Sequence, residues 1–343
     1  MEVIKILRKL VKFNTINDLE VEKIMDYLNK YLKNLGFKTK FIDKCLIAQL
    51  GNNPQIGYLA HTDTVDYESW DGNPFSLQLV DNKIIGLGVC DMKGSIAAML
   101  AALSQINLEN KDINLYFTYG EETTFKGIRA LINEEFPHTM IIGEPTDNIP
   151  VYGTKGYIEL TLEFYGKKAH SSTPEKGINA IYECISLIDK LKIFYEKELK
   201  KDIVNDFEIS YTTMNIGKIK GGETVNSVPG KCQMTIDFRI IKESHIDLII
   251  NHLEKLIKKY NAKIIINEMI KPKLNLSDIS YIESISSKKK TESYFTEANF
   301  IESNTVILGP GPITAHEKNE YITTQSLAKC VELYKQIIEE YNM

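Results

Sequence analysis

The sequence predicts an α/β fold: a mixed sheet flanked by helices, with a smaller two-layer α+β unit of four antiparallel strands and two helices inserted into it. Three observations lead there. Short apolar runs alternate with segments of helical period over residues 1–150. From about Gly153 the rhythm changes to a β-α-β-β-α-β order, the pattern of a compact antiparallel sheet covered by helices. After residue 270 the first rhythm resumes. The middle piece therefore reads as an insertion, with 1–153 and 271–343 forming one domain and 154–270 the other.

Each element follows from periodicity. Ile4, Leu7, Leu10 and Val11, then Val21, Ile24, Met25, Leu28 and Leu32, recur at helical spacing on either side of a turn-like stretch at 14–18, so two helices open the chain. Residues 38–42, 45–50 and 56–60 are short strands, the last apolar enough to be buried on both faces. The Ala- and Met-rich 94–108 is a helix, 113–119 a strand, 127–134 a helix and 139–142 a short apolar strand. In the insertion, 157–165 alternates strictly, and a helix runs from Gly177 into the Lys-rich 197–201. Strands at 211–219 and 232–240, a helix at 244–260 and a strand at 263–267 follow. A buried strand at 306–308 and a closing helix at 324–341 complete the first domain. The Lys run within 286–292 reads as a solvated surface segment.

Composition narrows the function. A chain of 343 residues can bury a full core, and 43% hydrophobic and 25% charged residues with 20 Gly and 10 Pro exclude collagen, coiled coil and long disorder. The net charge of −5 gives no support to a nucleic-acid partner, so a small-molecule substrate fits better. The first residues form an amphipathic helical pattern rather than a signal peptide, and no apolar run reaches membrane-spanning length. Five isolated cysteines, none in a Cys-x-x-Cys arrangement, read as reduced thiols of a cytoplasmic protein.

The chemistry gathers at strand ends. His61 follows the apolar run 56–60, which puts an imidazole at the edge of the sheet where ligands bind in α/β folds; Asp63 is placed to accept its second ring N–H. Asp91 lies in the Gly-rich Gly86-Leu87-Gly88-Val89-Cys90-Asp91-Met92-Lys93-Gly94, where taken alone it would be a helix N-cap. Glu121-Glu122 follow the strand 113–119, Glu144 follows 139–142, and His316 follows 306–308 after the turn Gly309-Pro310-Gly311-Pro312. Singly, each has an ordinary explanation as loop histidine or surface charge. Together, four strand ends deliver acids and imidazoles to one edge, and crowded carboxylates need positive charge to coexist. A His/carboxylate set without thiolate suits zinc, cobalt or manganese. One bridging carboxylate with an acid and an imidazole on each side would hold two ions about 3.5–4 Å apart.

These five separated motifs, in this order and across essentially the whole chain, resemble the metallopeptidase family that contains acetylornithine deacetylase, succinyl-diaminopimelate desuccinylase, aminoacylase and carboxypeptidase G2. The resemblance implies that His61 and Glu144 bind one metal, Glu122 and His316 the other, that Asp91 bridges them and that Glu121 is the general base. It implies two divalent ions, zinc with cobalt able to substitute, and an inserted domain that acts as a lid and dimerises. In the lid, His170 of Lys168-Ala169-His170-Ser171-Ser172 corresponds to a histidine that supports the developing oxyanion, in several relatives from the neighbouring subunit. Asn226 and Arg239 match residues that bind the substrate carboxylate, and Gly309 is expected at the substrate as well. A structural salt bridge for Arg239 is an equal expectation.

Substrate choice rests on finer features. Glu144-Pro145-Thr146, the run from Gly156 through His170 to Asn179-Ala180-Ile181, and Thr296-Glu297-Ala298-Asn299-Phe300 look most like acetylornithine deacetylases, with Asn299 a departure from their proline. The expectation is hydrolysis of N-acetylornithine to ornithine and acetate in arginine biosynthesis. Hydrolysis of acetyl-citrulline, acetyl-lysine, a succinyl-amino acid or a dipeptide is the alternative within enzymes. A non-catalytic, metal-dependent amino-acid-binding protein is the alternative outside them, against which the presence of Glu121 argues.

Overall fold

Apolar residues three and four apart give α1 (Glu2–Val11) and α2 (Val21–Asn34) one buried stripe each. The structure is a computed structural model and describes residues 1–67, 70–275, 286 and 288–340. After the two helices come β1 (Lys38–Ile42), β2 (Cys45–Leu50), β3 (Ile56–His61), β4 (Gln78–Val80), β5 (Lys83–Ile85), α3 (Lys93–Leu103), β6 (Ile113–Thr118), α4 (Lys126–Ala130), β7 (Thr139–Ile142) and β8 (Val151–Thr154). The middle of the chain forms β9 (Gly156–Tyr165), α5 (Ala180–Phe194), β10 (Thr213–Gly221), β11 (Lys231–Ile240), α6 (Ser244–Ile257), β12 (Ala262–Ile270) and β13 (Lys273–Leu274). The last part holds β14 (Lys290–Glu292), β15 (Asn304–Ile307), β16 (Tyr321–Thr323) and α7 (Thr324–Glu340).

Two units divide these elements: Met1–Tyr152 with Asn275–Lys290 and Thr296–Met343, and Gly153–Leu274 with Thr291–Phe295. The first is built on a sheet of order β1-β2-β6-β3-β7-β15-β8. β6, β3, β7 and β15 run parallel, whereas β1, β2 and β8 are antiparallel to their neighbours. Every residue of β3, β6 and β7 is buried, as strands covered on both faces require. α3 is buried along its whole length and packs between α1 and α7. A buried hydroxyl chain joins these layers: the Tyr58 hydroxyl lies 2.8 Å from Ser95 Oγ, which lies 2.7 Å from the Tyr334 hydroxyl, and that hydroxyl donates to the Leu308 carbonyl.

The structure departs from expectation at several places. α3 ends at Leu103 rather than 108, because the Ser104 hydroxyl bonds back to the Ala101 carbonyl and a turn follows. α4 stops at Ala130, where tighter bonds from Leu131 N to Ile128 O and from Glu134 N to Leu131 O replace the α pattern. Lys290–Glu292, expected as a solvated surface stretch, is a strand paired with β8. The closing helix is described to Glu340, and Tyr341 lies outside the described residues. β4, β5 and β16 form a three-stranded antiparallel sheet for which the periodicity gave no sign.

The second unit is an antiparallel sheet of order β10-β11-β9-β12 with α5 and α6 on one face. Strict alternation sends Ile158, Leu160, Leu162 and Phe164 of β9 and Met234, Ile236 and Phe238 of β11 to that face, where they meet Leu187 and Leu191 of α5 and Ile249 and Leu253 of α6. α5 begins at Ala180 rather than Gly177. Ile178 is held in an antiparallel bridge to Lys167, and the Asn179 side chain caps the helix by accepting from the N–H groups of Ile181 and Tyr182. The whole is a mixed α/β sheet with helices plus a separate small antiparallel unit, the fold class the sequence predicts.

Candidate active site

The parallel strands of the first unit end where the acids and imidazoles begin. His61 is the last residue of β3, Glu121 and Glu122 lie in the turn after β6, and Glu144 is two residues beyond β7. His61 is buried, with Nδ1 3.1 Å from the carbonyl oxygen of Asp63, so that nitrogen carries the hydrogen. Its Nε2 faces Asp91 Oδ1 at 3.0 Å and Glu144 Oε1 at 3.7 Å. On the far side, His316 Nε2 lies 3.1 Å from Glu122 Oε1 and 3.6 Å from Asp91 Oδ2. Each oxygen of Asp91 therefore faces a different imidazole, and each imidazole has an acid of its own.

Asp63 holds the cluster differently from expectation. Its carboxylate Oδ1 is 3.5 Å from His61 Nδ1, farther than its own carbonyl, while Oδ2 accepts the Glu122 N–H at 3.0 Å. It anchors the turn that carries both glutamates as well as the ring. Gly309 is buried against the Glu144 turn: its N–H donates to Thr146 Oγ1 and its carbonyl accepts from Asn148 N. A Cβ there would fall 2.5 Å from the Glu144 carbonyl oxygen, so Gly309 shapes the seat of Glu144 rather than offering its own groups outward.

The electrostatics call for cations. Burial opposes charge on His61, but the carboxylates of Asp63 and Asp91 and the charge of Glu144 outweigh it and hold its pKa well above the usual imidazole value. The Glu122 hydrogen bond carries His316 up to about 9. Burial raises Glu121 and Glu144 well above the carboxylate range, with Glu122 and Asp91 adding to the former and Asp91 to the latter. With Nδ1–H of His61 committed to a carbonyl, an Nε2 lone pair aimed at two carboxylates is stable only with a proton or a metal ion between them. His61, Asp91 and Glu122, and again His61, Glu121 and Glu144, have ligand atoms within 4.8 Å of one another. This donor set of imidazoles and carboxylates fits divalent transition metals.

The second unit gathers two of the predicted residues. His170 and Asn226 lie on paired segments, with His170 bridged to Ser227 and Ser171 N donating to the Asn226 carbonyl at 3.0 Å. Both are exposed. Arg239 stands on β11, where its Nε and Nη2 bond both oxygens of Asp237 at 3.1 Å and its guanidinium lies over the Tyr157 ring, 4.6 Å from the centroid. The intradomain salt bridge is thus present.

The sequence profile described as peptidase family M20/M25/M40 matches residues 57–340. The chain belongs to this family. It is 32% identical to the acetylornithine deacetylase of Photorhabdus laumondii, covering 98% of this chain and 97% of that protein, and 33% identical to that of Pectobacterium carotovorum over 86% and 83%. In fold it matches aminopeptidase PepT of Bacillus cereus with a TM-score of 0.82 at 22% identity over 100% and 98% of the chains. An M20 family metallo-carboxypeptidase of Sulfolobus solfataricus matches at 0.80 and 18% over 100% and 99%. As an M20 protein the chain is a metal-dependent amidohydrolase. No described helix is long and apolar enough to cross a membrane.

Two further residues of this M20 site were not singled out from the sequence for any role. Glu297 is fully buried, accepts from Thr118 Oγ1 at 2.8 Å, and is raised to about 7 by burial. Glu320 is buried and accepts the Cys90 N–H at 2.9 Å. A lone acid reads as surface charge, and the only signal was position: one lies inside the Thr-Glu-Ala segment, the other just before the apolar β16. Asn299, the departure from proline, closes a capping box with Thr296, whose N–H donates to Asn299 Oδ1 at 3.1 Å.

Proposed function

We propose that this chain is a two-metal N-acyl-amino-acid deacetylase that converts N-acetylornithine to ornithine and acetate in arginine biosynthesis. The observation that carries the two-metal reading is Asp91, whose two oxygens face His61 and His316 separately. In this reading His61 and Glu144 would hold one ion and His316 and Glu122 the other, with Asp91 shared between them. Two divalent ions, zinc with cobalt as substitute, supply Lewis-acid polarisation of the amide carbonyl and a lowered pKa for water. Glu121, half-buried with its pKa above the carboxylate range, takes the proton of the attacking water and returns it to the leaving nitrogen.

His170 suits oxyanion support. Its Nδ1 accepts the Ser172 N–H at 3.2 Å, so a neutral ring carries its hydrogen on Nε2 and can donate it. Asn226 takes the substrate carboxylate, Arg239 adds to it only through the guanidinium N–H groups that Asp237 leaves free, and Gly309 contributes by seating Glu144. Residues 154–270 serve as the lid, and the exposed Tyr182, Ile185 and Ile193 of α5 favour dimerisation through it. Location in the cytoplasm fits five buried, unpaired cysteines.

The near full-length likeness to acetylornithine deacetylases supports the substrate. The test is release of ornithine from N-acetylornithine by purified protein with zinc or cobalt, alongside acetyl-citrulline, acetyl-lysine and N-succinyl-diaminopimelate. Preferred turnover of N-acetylornithine is expected. No release at millimolar concentration would overturn the substrate, and ligand binding without turnover of any amide would overturn the enzyme.

A further inference from the structure

The loop that carries Asp91 and the loop that carries His316 are joined by contacts that do not involve either ligand side chain. Cys90, next to Asp91, donates its N–H to Glu320 Oε1 at 2.9 Å. Its thiol lies 3.4 Å from the Pro312 carbonyl and accepts the Thr314 N–H at 3.4 Å. Glu320 also accepts the Asp91 N–H. The Thr314 hydroxyl donates to the Tyr321 carbonyl at 2.7 Å and accepts the Tyr321 N–H at 2.8 Å, closing the loop in which His316 sits at φ 63. β16 then pairs with β5, the strand that leads to Asp91. A left-handed histidine is held only where its surroundings dictate it, and here they do.

We propose that Cys90 and Glu320 form a clasp that fixes the separation of Asp91 and His316, and so governs affinity for a divalent cation on the His316 side of the centre. Both are positioning residues. The His61 side has separate supports: His61 N donates to Met92 Sδ at 3.3 Å, its ring is held by the Asp63 carbonyl, and Glu144 is seated on Gly309. Loosening the clasp therefore moves His316 relative to Asp91 while Asp91 stays registered on His61 through the adjacent Met92. The buried Lys93, whose ammonium donates to the Phe13 carbonyl at 3.0 Å, lies within charge reach of Glu320.

The inference rests on the two-metal reading, and stepwise zinc titration of chelator-treated protein against a competing dye separates the two. His316→Ala identifies the equivalent that belongs to its side. Glu320→Gln should weaken that same equivalent at least about tenfold while the other changes less than about threefold, the size of effect expected when a ligand's outer partner is lost. Cys90→Ala, which keeps the carboxylate and removes only the sulfur contacts, should weaken the same equivalent less, and Cys90→Ser should restore part of it; it serves as the readout if Glu320→Gln does not fold by circular dichroism. Equal losses at both equivalents, or none at either, would overturn the clasp. Parent protein that binds a single equivalent would overturn the two-metal reading instead.

Discussion

Adjacent Glu121 and Glu122 divide by direction. Glu122 meets His316, whereas Glu121 shares its reach with His61 and Glu144 and is raised well above the carboxylate range by burial and by its neighbours. Glu121→Gln should lower kcat by about 10³-fold, the scale of general acid–base catalysis, with metal content by atomic absorption unchanged. Loss of metal would instead reverse the roles of the pair. His61, His316, Glu122 and Glu144 are all raised above their usual values, so zinc loading of metal-free protein at pH 7 should release protons, seen as a dependence of binding heat on the buffer's ionisation enthalpy. Glu297 offers a test in stability. Burial raises its pKa from 4.5 to about 7, so the folded chain holds a proton that the unfolded chain gives up, and stability falls as pH rises through that window. Glu297→Gln keeps an acceptor for Thr118 and has no charge to bury. By calorimetry on metal-free protein, its advantage should be absent near pH 4 and grow to at most about 3 kcal/mol above pH 7.

At the scale of elements, the edge that gathers the acids and imidazoles is a set of strand ends, and close packing of neighbouring strands sets where each side chain falls. Gly309 follows β15 closely and abuts the backbone beyond β7, where an added methyl would sit 2.5 Å from the Glu144 carbonyl oxygen and 2.7 Å from that of Gly143. Gly309→Ala should lower stability by about 1–3 kcal/mol, the cost of overpacking, and weaken the zinc equivalent on the Glu144 side; an unchanged melting temperature would show that the turn yields freely. This scale also separates what the sequence reveals from what it conceals. Ile56–His61 was legible because an unbroken apolar run has few other fates, and alternation in β9 and β11 declared one buried face. β4, β5 and β16 have three residues each, too few for any period to register, yet they carry the loops of Asp91 and His316. Glu297 and Glu320 were illegible as functional residues for another reason: burial of a single acid is decided by distant chain, Thr118 for one and Cys90 for the other.

Across the whole molecule, all five cysteines are buried and none is paired. Burial pushes Cys90, Cys184 and Cys330 up to about 12 and raises Cys45 and Cys232 as well, so the thiolate is scarce at neutral pH. Native protein should react with Ellman's reagent far more slowly than denatured protein, which should titrate five thiols. Fast labelling in the native state would show an opening that reaches the core. The inserted unit was legible in outline because its rhythm differs from that of the flanking chain. Which imidazole each acid faces was not legible from the residues themselves, and only the family resemblance offered a pairing.

Both units of this molecule are discontinuous in the chain, and most of the second, Gly153–Leu274, lies between the parts of the first that build the large sheet. During synthesis, which proceeds from the N-terminus, His61, Asp91, Glu121, Glu122 and Glu144 emerge before the inserted unit, and His316 after it. β15, which pairs with β7, and α7, pinned through Tyr334 to Ser95, arrive last. A nascent chain stalled inside the insertion would thus carry the acids and one imidazole of the cluster on an unfinished sheet, and the ribosome must deliver nearly the entire polypeptide before His316 can meet Glu122 and Asp91.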